Sequence, residues 1–257
     1  MNKYGLIGKP LSHSFSEKYF SDKFIREGIS DCQYNLYPLE SIDLLPELLL
    51  KHPNLKGLNV TTPYKVAVLP YLDEIDPIAE IIGAVNCISI TYPSGDKPFL
   101  KGYNTDAFGF RQSIKPFLET QHERALILGT GGASKAVHQV LKEIGIDCFF
   151  VSQNKWKVKS EKVFSYNELT EYIIHSFKLI INASPVGTYP HAHQAPEIPY
   201  QHITSSHLLY DLVYNPPETE FMKKGKAMGA SVVNGLSMLH QQAEEAWRIW
   251  NHLVAGK

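Results

Sequence analysis

The chain has 257 residues, of which 44% are apolar and 20% charged, with 25 Lys and Arg set against 26 Asp and Glu. That length and balance suit a globular protein with one large or two modest cores, and they exclude disordered and fibrous classes. No block of five or more basic residues appears, so no nucleic-acid partner is expected. Nor does any apolar run approach the ~20 residues needed to cross a bilayer.

Met1-Asn-Lys-Tyr-Gly5 leads directly into a strand-like segment without a signal-peptide core, so the expected location is the cytoplasm. Three scattered cysteines, Cys32, Cys87 and Cys148, form no C-x-x-C pair and suit a reducing compartment. His191 and His193 lie in a Pro-rich loop without a Cys or carboxylate cluster, and no metal is expected.

A first strand is predicted over 3–8, and the turn Lys9-Pro-Leu-Ser-His-Ser14 feeds a helix with Tyr19, Phe20 and Phe24 on its apolar side. One serine suffices to cap that helix. Ser12, Ser14 and Ser16 exceed the need, and hydroxyls beside a positive helix end suit a carboxylate ligand. A strand over 32–37 and a helix over 41–51 complete the next step. The strand that follows ends in Asn59, Thr61 and Thr62, with Pro63 opening a helix. Lys65 falls in its first turn. A lysine there opposes the helix dipole, which invites a functional explanation. A helix over 76–82 precedes Gly83 to Thr91, a strand that begins with Asn86. After a turn at 93–95 a return strand over 99–103 runs into Asn104-Thr-Asp106, where an acid complements the next helix. This antiparallel insert in a βα pattern predicts a mixed sheet.

Arg124-Ala-Leu-Ile-Leu-Gly-Thr-Gly-Gly-Ala-Ser-Lys-Ala-Val137 reads as strand, tight turn and helix. Gly129 allows the turn, Gly131 opens backbone N–H groups to a pyrophosphate, and Ser134 is small enough for close helix-to-strand contact. A glycine turn between any strand and helix has this form when isolated. Here a second run, Cys148 to Val151, follows at the interval of a βαβ unit. No acid ends that second strand to chelate a ribose, whereas Lys155, Lys157 and Lys159 place positive charge nearby, which favours NADP over NAD. Further strands are predicted over 178–182, 208–214 and 231–233, with a helix over 217–228. Asn182 to Gly187 and Asp211 to Tyr214 sit at the carboxyl ends where open α/β sheets bind ligands. Last, Leu236, Leu239, Ala243, Ala246, Trp247 and Trp250 make one apolar stripe of a helix expected to return to the first domain. The predicted architecture is α/β. A mixed-sheet substrate domain over 1–105, completed by 235–257, adjoins a Rossmann-like nucleotide-binding domain over 106–234 across a cleft.

In this order the segments resemble the shikimate dehydrogenase family. The resemblance runs through Pro10 to Ser14, Gly57 to Lys65, Gly83 to Asn86, Gly102 to Asp106, Gly129 to Ala133, Asn182 to Gly187, Asp211 to Tyr214 and Asn234 to Gln242. It implies NADPH-dependent reduction of 3-dehydroshikimate to shikimate in aromatic amino-acid biosynthesis by a monomer or homodimer. By the same resemblance Ser12 and Ser14 hold the substrate carboxylate, and Thr61, Asn86, Asp106 and Gln242 contact the ring hydroxyls. Tyr214 is another substrate-side residue, and Lys65 with Asp106 carries the acid–base chemistry. Gly129, Thr130, Gly131, Gly132 and Ala133 receive the pyrophosphate, while Leu212 and Gly235 lie at the nicotinamide end. The 2′-phosphate end falls to Ser152, Gln153 and Asn154. Gln153 stands where the family has Arg, and Thr188 where it has Met. The rival readings are a quinate/shikimate paralogue that accepts NAD and a non-catalytic redox sensor, against which retention of Lys65 and Asp106 argues.

Overall fold

The computed structural model describes residues 1–252, apart from 12–14, 94, 96 and 159–161. It divides into two compact units, Met1–Thr105 together with the chain from Gln242, and Asp106–Gln241.

The first unit runs β1 (Asn2–Gly8), α1 (Phe15–Arg26), β2 (Cys32–Pro38), α2 (Leu45–Lys51), β3 (Leu55–Val60), α3 (Tyr64–Ala67), β4 (Glu74–Ile75), α4 (Pro77–Ile82), β5 (Cys87–Thr91) and β6 (Phe99–Tyr103). Its sheet has the order β2-β1-β3-β5-β6-β4. The first three of these are parallel, while β5 is antiparallel to both β3 and β6, giving the mixed sheet that the sequence predicts. β4 is new. Two residues are too few to show a period of two; Asp73 secures them by donating its N–H to the Leu100 carbonyl at 2.9 Å and accepting the Leu100 N–H on its carboxylate at 2.8 Å.

The second unit takes in α5 (Thr105–Ile114) from its second residue, followed by β7 (Arg124–Leu128), α6 (Gly132–Glu143), β8 (Asp147–Val151), β9 (Val163–Phe164), α7 (Glu171–Ser176), β10 (Leu179–Asn182), β11 (Leu208–Asp211), α8 (Glu220–Ala227) and β12 (Ser231–Val233). Its six strands are all parallel in the order β12-β11-β10-β7-β8-β9. Numbered within the unit this is 3-2-1-4-5-6, the doubly wound nucleotide-binding arrangement, whose strand order reverses between β7 and β10. Leu126, Leu128, Ile180 and Leu209 are fully buried, as strands covered on both faces require. β9 and α7 occupy a stretch with no strong periodicity and are absent from the sequence reading.

The last helix, α9 (Leu236–His252), returns its later turns to the first unit. Ala243, Ala246, Ile249 and Trp250 join one cluster with Tyr4, Phe20, Phe24 and Tyr34, whereas Leu236, at the start of the predicted stripe, is 39% exposed. Trp250 stacks on Tyr4 with centroids 5.0 Å apart, and its indole N–H donates to the Ile88 carbonyl at 3.0 Å. On α1 the buried Lys23 pairs with Glu27 at 2.9 Å and Glu244 at 2.8 Å, so its charge is matched. A side chain at Gly57 in β3 would overlap the Trp250 indole. Gly57→Ala is therefore expected to cost about 1–3 kcal/mol, the range for overpacking a filled core. The measurement is the urea unfolding midpoint, and an unchanged value would disprove this close approach.

Candidate functional site

At the reversal point of the second sheet β7 gives way to Gly129, whose φ of +110° suits glycine alone. Its N–H donates to the Val151 carbonyl at 2.9 Å. A β-carbon at this position would lie 3.1 Å from the Ala183 carbonyl oxygen. Gly131 then forms the N-cap of α6 with extended backbone and no side-chain cap, and a β-carbon there would meet nothing within 4 Å. Thr130 and Gly131 are exposed. The amides leading into Gly132 and Ala133 thus lie at a positive helix end beside open space, which fits a pyrophosphate. Ser134 is fully buried, and its hydroxyl reaches the Ala183 carbonyl at 3.4 Å, the close helix-to-strand contact its size suggests.

Beyond β8 the Ser152 hydroxyl accepts the Asn154 N–H at 3.2 Å, and Gln153 and Asn154 are exposed. Lys155 differs from expectation. It is ion-paired to Glu168, whose carboxylate also accepts the N–H and hydroxyl of Ser165 at 2.7 and 2.9 Å. These donors, Lys155 foremost, hold the Glu168 carboxyl down at about 2. The charge of Lys155 is therefore already matched, while Lys159 and the side chain of Lys157 lie outside the described residues.

The sequence reading places Asn182 and Asp211 at the ligand-binding edge without naming either as a site residue, and the two form a buried network. Neighbours in register, they end β10 and β11. Asp211 accepts from the Thr219 hydroxyl at 2.5 Å, Asn182 Nδ2 at 2.9 Å and the Val213 N–H at 3.0 Å. Asn182 Nδ2 also donates to the Val186 carbonyl, and its Oδ1 accepts from the N–H and hydroxyl of Ser184. The Thr219 oxygen in turn caps α8 through the Met222 N–H. Recruitment of Val213 and Thr219 explains why β11 stops at Asp211 rather than running to Tyr214, and why α8 starts at Glu220. Leu212 and Gly235 come together as well, since a β-carbon on Gly235 would overlap the Leu212 carbonyl. Tyr214 is half-buried, and burial pushes its phenol up. Thr188 sits at the surface, its hydroxyl 3.5 Å from the Asn215 carbonyl. The sequence signal for this network is a polar residue closing each of two apolar strands.

In the first unit Thr61 follows β3 and donates its N–H to the Ile7 carbonyl at 2.9 Å. Lys65 is half-buried in α3, and its carbonyl accepts the Val85 N–H at 2.8 Å. The next residue, Asn86, bridges the strands through backbone bonds with Val60 and Tyr103 at 2.9 and 3.0 Å. Its side-chain oxygen accepts the N–H of Thr105 at 2.6 Å, and Asn104 Nδ2 donates to the Ala84 carbonyl at 2.9 Å. Backbone bonds thereby set Thr61, Lys65 and Asn86 on neighbouring segments of the first unit, and of the three it is Asn86 that holds Thr105, the residue before Asp106, itself 3% exposed in the first turn of α5. Gln242 is half-buried on α9. Ser12 and Ser14 lie outside the described residues.

Asp211 supplies a pH dependence. Burial pushes its carboxyl up to about 6, against the pull of its three donors. The folded chain then holds a proton that the unfolded chain has released above about pH 4, so this group's contribution to stability is full below pH 4 and is lost as pH rises through about 6. A swing of about 2–3 kcal/mol is expected from that interval. Urea unfolding of the natural chain and Asp211→Asn across pH 4–7 should give a difference that changes in this sense; a flat difference refutes it.

Residues 6–88 match the family described as "Shikimate dehydrogenase substrate binding domain". Over 96% of this chain and 89% of the relative, the sequence is 39% identical to the NADP(+) shikimate dehydrogenase of Halothermothrix orenii. Among solved structures, shikimate 5-dehydrogenase of Thermus thermophilus in complex with NADP(H) and shikimate is 30% identical, with a TM-score of 0.83 and coverage of 97% of this chain and 93% of that one. Quinate dehydrogenase of Corynebacterium glutamicum in complex with NAD has the same TM-score and coverages at 27% identity. A chain that shares more than a third of its residues with such a relative over nearly its full length belongs to the shikimate dehydrogenase family.

Proposed function

We propose that this chain catalyses the reversible NADPH-dependent reduction of 3-dehydroshikimate to shikimate, in the cytoplasm, as a monomer or homodimer. Residues 1–105, completed by the C-terminal helix, bind substrate, and the doubly wound unit binds NADP. The reading is supported by the backbone bonds that link the segments of Thr61, Lys65 and Asn86, and by the Asn86 side chain that holds the residue before Asp106.

NADPH, when bound, supplies the hydride that reduces the substrate carbonyl. The protein holds it through Gly129, Thr130, Gly131, Gly132 and Ala133 at the pyrophosphate, with Ser152, Gln153 and Asn154 at the 2′-phosphate end. Leu212 and Gly235 serve the nicotinamide end. Lys65, as an ammonium, donates a proton to the oxygen that becomes the C3 hydroxyl, and as a neutral amine takes it back in the oxidative direction. Asp106 accepts a hydrogen bond from the same centre and orients the exchange. Ser12 and Ser14 hold the substrate carboxylate. Thr61, Asn86, Asp106 and Gln242 contact the ring hydroxyls, with Tyr214 also on the substrate side, and groups so placed reject analogues that leave them unpaired.

The reading as a quinate/shikimate paralogue that accepts NAD draws support on the cofactor side from two observations: Gln153 is neutral, and the charge of Lys155 is matched by Glu168. Comparing kcat/KM for shikimate and quinate with NADP+ and NAD+ decides between the two. Shikimate with NADP+ should give the highest value, and a preference for quinate with NAD+ would reassign the enzyme. Lys65→Ala should lower kcat by roughly 10²-fold, the scale of general acid–base catalysis, with KM for shikimate much less affected. A near-normal kcat would remove Lys65 from the mechanism.

A further inference from the structure

The chain has three tryptophans, and two of them belong to α9, where Trp250 is 1% exposed. Trp156 is the opposite case, with 88% of its surface open. It occupies the single 3-10 turn Lys155–Lys157 that follows β8. This turn is anchored on both sides. Asn154 N–H donates to the Ser152 hydroxyl, Val158 N–H returns to the Lys155 carbonyl at 3.0 Å, and Lys155 is tied to Glu168, itself held by Ser165. The Lys155 ammonium also sits 5.3 Å from the centroid of the Trp156 ring, within the range of a cation–π contact. A fixed cation thus backs a wide aromatic surface that faces solvent.

Position gives that surface a use. β8 pairs in register with β7, Leu128 opposite Val151, and Gly129 donates to the Val151 carbonyl. The turn bearing Trp156 therefore springs from the same sheet edge as the glycine turn, beyond the second strand. In a doubly wound sheet that is the side taken by the adenosine half of a dinucleotide. We infer that Trp156 is the stacking surface for the adenine ring, an inference that rests on the NADP reading above. Every base has a π-face, so stacking on an aromatic side chain needs no charge. Such a contact suits a segment in which Gln153 is neutral and Lys155 is already paired. It is also blind to the 2′-phosphate, so Trp156 serves NADP+ and NAD+ alike.

The test uses the full chain and the variants Trp156→Ala and Trp156→Phe, with binding of NADP+, NAD+ and 2′,5′-ADP followed by calorimetry. Trp156→Ala should weaken all three by about 10-fold, within the span of base–aromatic stacking, while Trp156→Phe keeps most of the affinity. KM for shikimate should be unchanged. In the natural chain 2′,5′-ADP should quench the solvent-exposed tryptophan emission, a signal that Trp156→Phe lacks. Because the side chain is exposed, both variants should melt like the natural chain by circular dichroism. Natural affinity for 2′,5′-ADP in Trp156→Ala, a loss confined to NADP+, or emission unchanged at saturation would each overturn the inference and leave the NADP reading standing. Failure of the natural chain to bind any of the three would overturn both.

Discussion

One hydrogen bond fixes the residue before Asp106: the side-chain oxygen of Asn86 accepts the Thr105 N–H at 2.6 Å. Thr105 is the first residue of α5, so this bond satisfies a donor that the helix cannot satisfy itself. The backbone of Asn86 is meanwhile held by Val60 on one side and Tyr103 on the other. Thr105, the last residue of this part of the first unit, is thereby tied to the stretch that Val60 and Tyr103 hold, and Val85, just before Asn86, donates its N–H to the Lys65 carbonyl. The same asparagine that the family resemblance assigns to substrate also fixes where the residue before Asp106 begins.

The second unit meets the same problem with Asp211. A carboxylate buried at the end of a parallel strand is costly unless donors surround it. Three donors do, and each comes from a different segment: Asn182 at the end of β10, Val213 just after β11, and Thr219 at the head of α8. The loops at the carboxyl edge are thus braced from below by one buried charge. Their rigidity bears on ligand binding because the glycine turn packs on one of them, through Gly129 against Ala183.

Much of this was legible from the residues. Strands covered on both faces read as continuous apolar runs, as in Ala125 to Leu128 and Leu179 to Ile181. The glycine turn with α6 has a local signature, because turn and helix are short-range structures. Less was legible where stability comes from partners distant in the chain. β4 and β9 have two residues each and exist through pairing with β6 and β8. The end of β11 depends on the Asp211 network, which no periodicity reveals. The reading of Lys155 as a phosphate-side charge missed Glu168, thirteen residues on, because ion pairing follows space rather than spacing.

The sequence by itself determined the α/β class, the mixed and parallel character of the two sheets, the glycine turn and the family. These follow from periods, turn residues and ordered motifs that act within a few residues of one another. Only the tertiary structure decided which polar atoms have protein partners: Asn86 Oδ1 with Thr105, Lys155 with Glu168, and Asp211 with three donors. It also showed Trp250 buried and Trp156 open. Burial and hydrogen-bond partnership are properties of the folded neighbourhood, and identical side chains differ in them according to what the chain brings alongside.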